Sequence, residues 1–219
     1  MIKPTIKEGL SVVPVSKLYD DATCQIYELL FCDDVQLFSA IEDVFPALFA
    51  KNPSKAELLK IAKDKKVESR VRILAYRRLK EINAVPAIQE ILGVVVEYNQ
   101  EIDDGKGLDT IAVYPDGNIR YINYTGKMAF AEGDVFIEQI GKKSFQDIFK
   151  LSKKITKEVA PYEKKRLPPP SSSNARITVL VNGDIYFIQK SADEMFSDEL
   201  TGSILGDASM LLQFMMQQM

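Results

Sequence analysis

Asp116-Gly117-Asn118-Ile119-Arg120-Tyr121-Ile122-Asn123 and, later in the chain, Asn182-Gly183-Asp184-Ile185-Tyr186-Phe187-Ile188-Gln189 align without gaps. Each sets a turn dipeptide ahead of a short run of strand-forming residues. Asp-Gly and Asn-Gly supply the positive φ that tight hairpin turns require. Strand-like runs at 110–114 and 177–181 precede the two turns, so each string is expected to close a β-hairpin. Turn chemistry and strand alternation alone can generate this likeness; internal duplication is the other source.

Outward from the first hairpin, 92–98 contains Val94, Val95 and Val96, and 127–132 follows the break at Gly126. Four runs joined by short connections predict an antiparallel meander. Next, 144–159 reads as an amphipathic helix, with Phe145, Ile148, Phe149, Leu151, Ile155 and Val159 on one side and Lys143, Lys150, Lys154 and Lys157 on the other. A connector over 160–176 carries Pro168-Pro169-Pro170-Ser171-Ser172-Ser173. Consecutive prolines favour an extended chain, so an exposed crossing of the surface is expected there. The chain closes with a helix over 200–218 whose packing stripe is Leu200, Ile204, Leu205, Ala208, Leu211, Leu212 and Met215.

Toward the amino terminus, apolar residues recur at helical spacing from Asp20 to Asn83. Asp20 and Asp21 suit the start of one helix. Asp33 or Asp34 can cap the next, which Pro46 would end or kink, and Ser54 with Glu57 forms a capping-box pattern for 55–65. The last helix, 67–82, stacks Val71, Leu74, Ala75, Leu79 and Ile82. Together with 57–59 and 85–87 it looks like a single unit of a HEAT-type repeat; one unit predicts only a small helical subdomain. The expected architecture is α+β: a helical amino-terminal part, residues 1–85, packed on a mostly antiparallel sheet of about six strands in 86–219, with covering helices.

Composition narrows the function. The 219 residues are 46% hydrophobic and 27% charged, as in an ordinary globular protein, and include no histidine. That removes Ser-His and Cys-His nucleophile pairs, the histidine general base and His-ligated metal sites. A net charge of -3 argues against a nucleic-acid partner, which needs a basic footprint. Acidic blocks (1–50, 83–141, 177–219) alternate with basic ones (51–82, 142–176), a pattern of mixed surface or of segments lying against one another. Cys24 and Cys32, if on one helix, are about 12 Å apart along its axis, too far for a disulfide. Free thiols, with no signal peptide or membrane-length apolar run, predict a cytoplasmic protein without a membrane partner.

Candidate sites are few. Asp103, Asp104 and Asp109 around Gly105 and Gly107 lack EF-hand spacing, and a solvated loop is expected. Neither a metal nor another cofactor is expected. The densest functional string is Arg120-Tyr121-Ile122-Asn123-Tyr124-Thr125-Gly126-Lys127. Alternation sets Arg120 and Tyr124 on one face and Tyr121 and Asn123 on the other, so Arg120, Tyr121, Asn123, Tyr124 and Lys127 are the candidate ligand or partner contacts; a half-buried strand is the plainer reading. Glu68 and Arg70 open a helix as a candidate structural clamp, with Asp109 or Glu97 as the strand carboxylate. Met210, Phe214 and Met216 lie at the margin of the last helix's stripe, a candidate interface for a protein partner or homo-oligomer.

The order Glu68-Ser69-Arg70-Val71-Arg72, Tyr114-Pro115-Asp116-Gly117, Arg120-Tyr121-Ile122-Asn123, Gly126-Lys127 and Pro168-Pro169-Pro170 resembles a family of uncharacterised bacterial proteins over about residues 67–215. Its members carry tryptophan where Tyr162 stands. The resemblance implies no activity, cofactor or fold. The expected function is a non-enzymatic cytosolic interaction or adaptor protein; the alternative is a small-ligand sensor or enzyme using the Tyr- and Arg-bearing sheet face.

Overall fold

The computed structural model describes residues 10–102, 107–133 and 142–217. Asn182 and Gly183 turn the chain at φ of 43° and 83°, the paired left-handed conformation of a two-residue hairpin turn. Gly117 turns the other hairpin at φ 87°, its amide donating to the Tyr114 carbonyl at 3.0 Å. The strands are β1 (Ile91–Gln100), β2 (Gly107–Val113), β3 (Ile119–Ile122), β4 (Met128–Ala131), β5 (Asn174–Val181) and β6 (Asp184–Ser191). They form one sheet in the order β4-β3-β2-β1-β5-β6, and every neighbouring pair is antiparallel. The meander therefore holds for β1 to β4, and the second hairpin extends the sheet from the other edge of β1.

Both hairpin turns rest on one helix, α4, and three helices precede it: α1 (Asp21–Leu29), α2 (Pro46–Phe49), α3 (Lys55–Lys63), then α4 (Ser69–Glu81). Asp116 Oδ2 accepts from the Ser69 amide at 2.6 Å, setting a carboxylate at the helix N-terminus, where free amides and the dipole favour it. Farther along, a Cβ added at Gly183 would lie 2.9 Å from the carbonyl carbon and oxygen of Tyr76. The second turn thus needs glycine for space as well as for φ. The two similar strings perform the same task, bringing a strand end onto α4.

Caps form where the sequence places them: Asp20 accepts from Thr23 N, Asp34 from Gln36 N and Ser54 from Glu57 N. The Asp34 cap opens a 3-10 segment, Val35–Ile41. Pro46 begins α2 instead of ending a helix, at the first turn where a missing N–H leaves no bond unmade. Tyr27, Leu30, Phe31, Leu48, Leu58, Leu74 and Leu79 of this layer pack on Leu92, Val95, Ala112, Leu180 and Phe187 of the sheet. On the opposite face, Val94, Val96, Ile111, Val179 and Tyr186 meet α5 (Lys142–Glu158) through Phe145, Ile148 and Ile155 and α7 (Glu199–Gln217) through Ile204, Leu205, Leu211 and Met215. Burial on both faces explains why 94–96 is an unbroken valine run. The fold is α+β, an antiparallel sheet between two helical layers. A short α6 (Ala192–Ser197) is additional to the expected elements; its signal is the reciprocal capping box of Ser191 and Glu194.

The connector departs from expectation. Pro169 and Pro170 are buried, and Pro170 bridges to Val12. Val13 N donates to the Pro169 carbonyl at 2.9 Å, Ser171 N to the Ser11 carbonyl at 3.2 Å and Ser173 N to the Asn99 carbonyl at 2.8 Å. The physical reason is that proline lacks a donor but keeps an acceptor. An extended run leaves its carbonyls unused by itself, and here Asn99 Nδ2 takes that of Pro170 at 2.8 Å and Arg176 Nη2 that of Pro168 at 2.7 Å.

Replacing Gly183 tests the docking of the turn on α4. Gly133, at φ 83°, has nothing among the described residues within 4 Å of an added Cβ, so Gly133→Ala is expected to carry mainly left-handed strain, about 1 kcal/mol. Gly183→Ala adds the clash with α4 and is expected to lower unfolding stability by about 2 kcal/mol or more in urea titrations. Equal losses at the two positions would contradict the docking.

Candidate functional site

The residues singled out from the sheet string separate in space. Arg120 is buried on the side of the amino-terminal helices, its Nη1 donating to the Ile119 and Ala131 carbonyls at 3.1 and 3.2 Å and its Nη2 pairing with Glu132 at 2.8 Å. Tyr121 faces the other way and donates to Asp109 Oδ1 at 2.7 Å. The same carboxylate accepts from Tyr124 N at 3.2 Å and, through Oδ2, from Gln100 Nε2 at 2.8 Å. Burial pushes the Asp109 carboxyl above its ordinary range, with these hydrogen bonds opposing the shift. Strand alternation stops at Ile122 because the Asn123 side-chain oxygen accepts from Thr125 N, Thr125 Oγ1 and Lys127 N. Tyr124 and Lys127 are exposed on the resulting turn, so Asp109 links Tyr121 with Tyr124 while Arg120 lies apart.

Arg70 does not reach a strand carboxylate. Its Nε donates to Glu68 at 2.5 Å, and its guanidinium lies 5.9 Å from the Phe38 ring. Asp109 is occupied as described, and Glu97 is taken by Tyr27 Oη at 2.6 Å and Arg176 Nη1 at 3.5 Å. On α7, Met210 and Met216 are 58% and 53% exposed, with Phe214 half-buried between them. Asp103, Asp104 and Gly105 lie outside the described residues. Among the described residues no three acidic or cysteine side chains gather as metal ligands. Burial pushes the Cys32 thiol up to about 12, so it is not a thiolate nucleophile at neutral pH.

The charged groups that organise this side of the molecule are three arginines that pattern reading passes over. Arg176, in the middle of β5, is 1% exposed. Its Nε and Nη2 donate to Gln189 Oε1 at 2.9 and 2.6 Å, and Nη1 also donates to the Leu167 carbonyl at 3.2 Å. Arg166, in the connector, stacks 3.9 Å from the Phe31 ring centroid and donates through Nε to Asp33 at 2.7 Å and through Nη2 to Glu28. Burial disfavours its charge, yet the neighbouring Tyr27, Asp33 and Glu28 outweigh that and raise its affinity for the proton. The available signal was that Arg176 and Glu97 are single charges inside otherwise apolar strand runs, which demands a buried partner for each.

Between the connector and α4 lies a cleft of about 920 Å³, bordered by Asp33, Leu37, Leu74, Arg77, Lys165, Arg166 and the Gly183 turn. Four of its carboxylates are committed: Glu28 and Asp33 to Arg166, Asp34 to the Gln36 amide, Glu81 to Arg78; Glu163 is exposed on the connector. Among the cleft's arginines Arg77 stands apart. Its Nε and Nη2 are buried without a hydrogen-bond partner. Burial lowers its affinity for the proton, Asp33 and Cys32 oppose that through space, and the like charge of Arg166 adds to it. A guanidinium remains charged even so, and among the described residues these two donors have no acceptor.

Comparison with known protein families, curated proteins and solved structures finds no match. The chemistry of the cleft is therefore read from its own geometry.

Methionine substitution separates the two cleft arginines. Arg166→Met strands Asp33 and Glu28 and is expected to cost about 2–3 kcal/mol, below the range for a fully buried pair because the Glu28 side chain is 37% exposed. Arg77→Met removes two unsatisfied buried donors and is expected to leave stability unchanged or raised. A loss at Arg77→Met comparable to that at Arg166→Met, measured by chemical denaturation, would mean that Arg77 has a structural partner.

Proposed function

We propose that this protein is a non-enzymatic interaction protein, an adaptor that holds a segment of a protein partner in the cleft between α4 and the connector. The observation that carries the reading is the composition of the cleft wall. Small-molecule pockets are lined mainly by apolar and aromatic groups, whereas eleven of the twenty-three residues lining this cleft are charged. Such a wall suits a polar chain segment, which brings alternating donors and acceptors of its own. The missing histidine and the suppressed Cys32 thiol support binding over catalysis. Two free cysteines are compatible with a reducing cytosol. The alternative, a ligand site on the Tyr- and Arg-bearing sheet face, is weakened because Tyr121 and Arg120 are 2% and 7% exposed and the Tyr121 hydroxyl and both terminal nitrogens of Arg120 already have partners.

Leu37 borders the cleft and is 41% exposed, so Leu37→Trp narrows the cleft without touching the core. Affinity purification of parent and variant side by side from the native cell, with mass spectrometry, tests the reading. A protein is expected to accompany the parent and to be lost with the variant, both having the same thermal midpoint. Identical sets of captured proteins would contradict the cleft as the docking site.

A further inference from the structure

We propose that Arg77 is the anchor for an oxyanion, a carboxylate or phosphate group carried by whatever enters the cleft. The inference rests on the binding role proposed for that cleft and names the chemistry recognised there. Nε and Nη2 lie along one edge of the guanidinium, the edge that can present two parallel N–H groups to two oxygens of one anionic centre. In Arg77 both are without acceptor. Arg166, bordering the same cleft, uses the same two nitrogens for Asp33 and Glu28. Asp33 and Glu28 thus serve Arg166, and no carboxylate among the described residues bonds Nε or Nη2 of Arg77.

That asymmetry has an energetic direction. A buried donor without an acceptor is unfavourable, and a charged one more so. Arg77 is partly exposed as a residue and lines the cleft, so a change of rotamer toward the cleft breaks no hydrogen bond at Nε or Nη2. An oxyanion entering from solvent gains both N–H groups, and the guanidinium gains the acceptors it lacks. The two α4 neighbours of Arg77 on that wall are differently placed. Lys80 pairs with Asp184 at 2.5 Å, and Arg78 pairs with Glu81 and donates to the Ala50 carbonyl.

Nuclear magnetic resonance on the intact ¹⁵N-labelled protein tests the anchor, with inorganic phosphate and acetate as separate probes. The Arg77 Nε–H signal, assigned by its loss in Arg77→Lys, is expected to shift saturably with at least one anion. Backbone signals of the Gly183 turn should report binding weakened by about tenfold or more in Arg77→Gln, because a bidentate charged contact is lost. Lys80→Gln removes the same charge from the same wall and should weaken binding by less than about threefold, as for a screened exposed charge. Tighter binding of phosphate points to a phosphorylated ligand, and tighter binding of acetate to a carboxylate; either supports the anchor. Equal weakening by the two variants, or no saturable shift with either anion, overturns it. Partner capture lost in Leu37→Trp but kept in Arg77→Gln also overturns the anchor while leaving the adaptor role standing. Anion binding at Arg77 without any cleft-dependent partner supports the anchor and removes the adaptor role.

Discussion

Arg176 holds a positive charge at 1% exposure in the middle of β5, and much of the surrounding chain is arranged around that charge. Removing a guanidinium from water is costly unless an opposite charge and hydrogen-bond acceptors replace the solvent. Glu97 lies directly across the β1–β5 register and Gln189 directly across the β5–β6 register. They supply an anion on one side and a neutral acceptor on the other. A slip of one residue would send Arg176 and Glu97 to opposite faces among valines and isoleucines, so the pair specifies how three strands align. Tyr27 completes the group from α1 by donating to Glu97 at 2.6 Å, which fastens the helical layer to the same point.

From that point the connector acquires its path. The carbonyls of Leu167 and Pro168 are taken up by Arg176, and the carbonyls of Pro169 and Pro170 by Val13 and Asn99. Earlier in the connector, Tyr162 N donates to the Ile185 carbonyl at 2.7 Å, and its ring packs 5.1 Å from Phe187. Arg166 then fixes the stretch between these anchors to Asp33 and Glu28. Held at several points along its length, the connector stands beside α4 instead of collapsing onto it. The cleft, with Arg77 on its wall, is a consequence of that arrangement.

What could be read in the sequence follows the range of the interactions involved. Turns at Gly117 and Gly183, caps at Asp34 and Ser54, and the stripes of α5 and α7 depend on neighbours within a few residues, and those patterns are visible directly. Four strands and their meander followed from alternation and short connections. Pro-Pro-Pro-Ser-Ser-Ser has the composition of a solvated link, while the burial of Pro169 and Pro170 depends on carbonyls being claimed by Arg176, Asn99 and Val13 from elsewhere. Likewise the string from Arg120 to Lys127 drew attention by its density of polar and aromatic groups, yet Tyr121 and Asn123 serve the sheet edge and its turn. Arg77 looked like any polar position on an amphipathic helix. Its significance lies in a missing acceptor, and only the packed neighbours reveal that.

The buried charge of Arg176 holds the connector, and through it the amino-terminal segment, against the sheet. Amide hydrogen exchange tests it most directly, read at Val13, Tyr162, Ser171 and Ser173 in the parent and in Arg176→Met. Local opening free energies span from near zero in free loops to the global value in packed elements. The account predicts that these four amides of the parent exchange on the timescale of β1 and β5, and that in the variant they lose protection while β2 and β3 keep theirs. Exchange at free-chain rates in the parent, or unchanged protection in the variant, would contradict it.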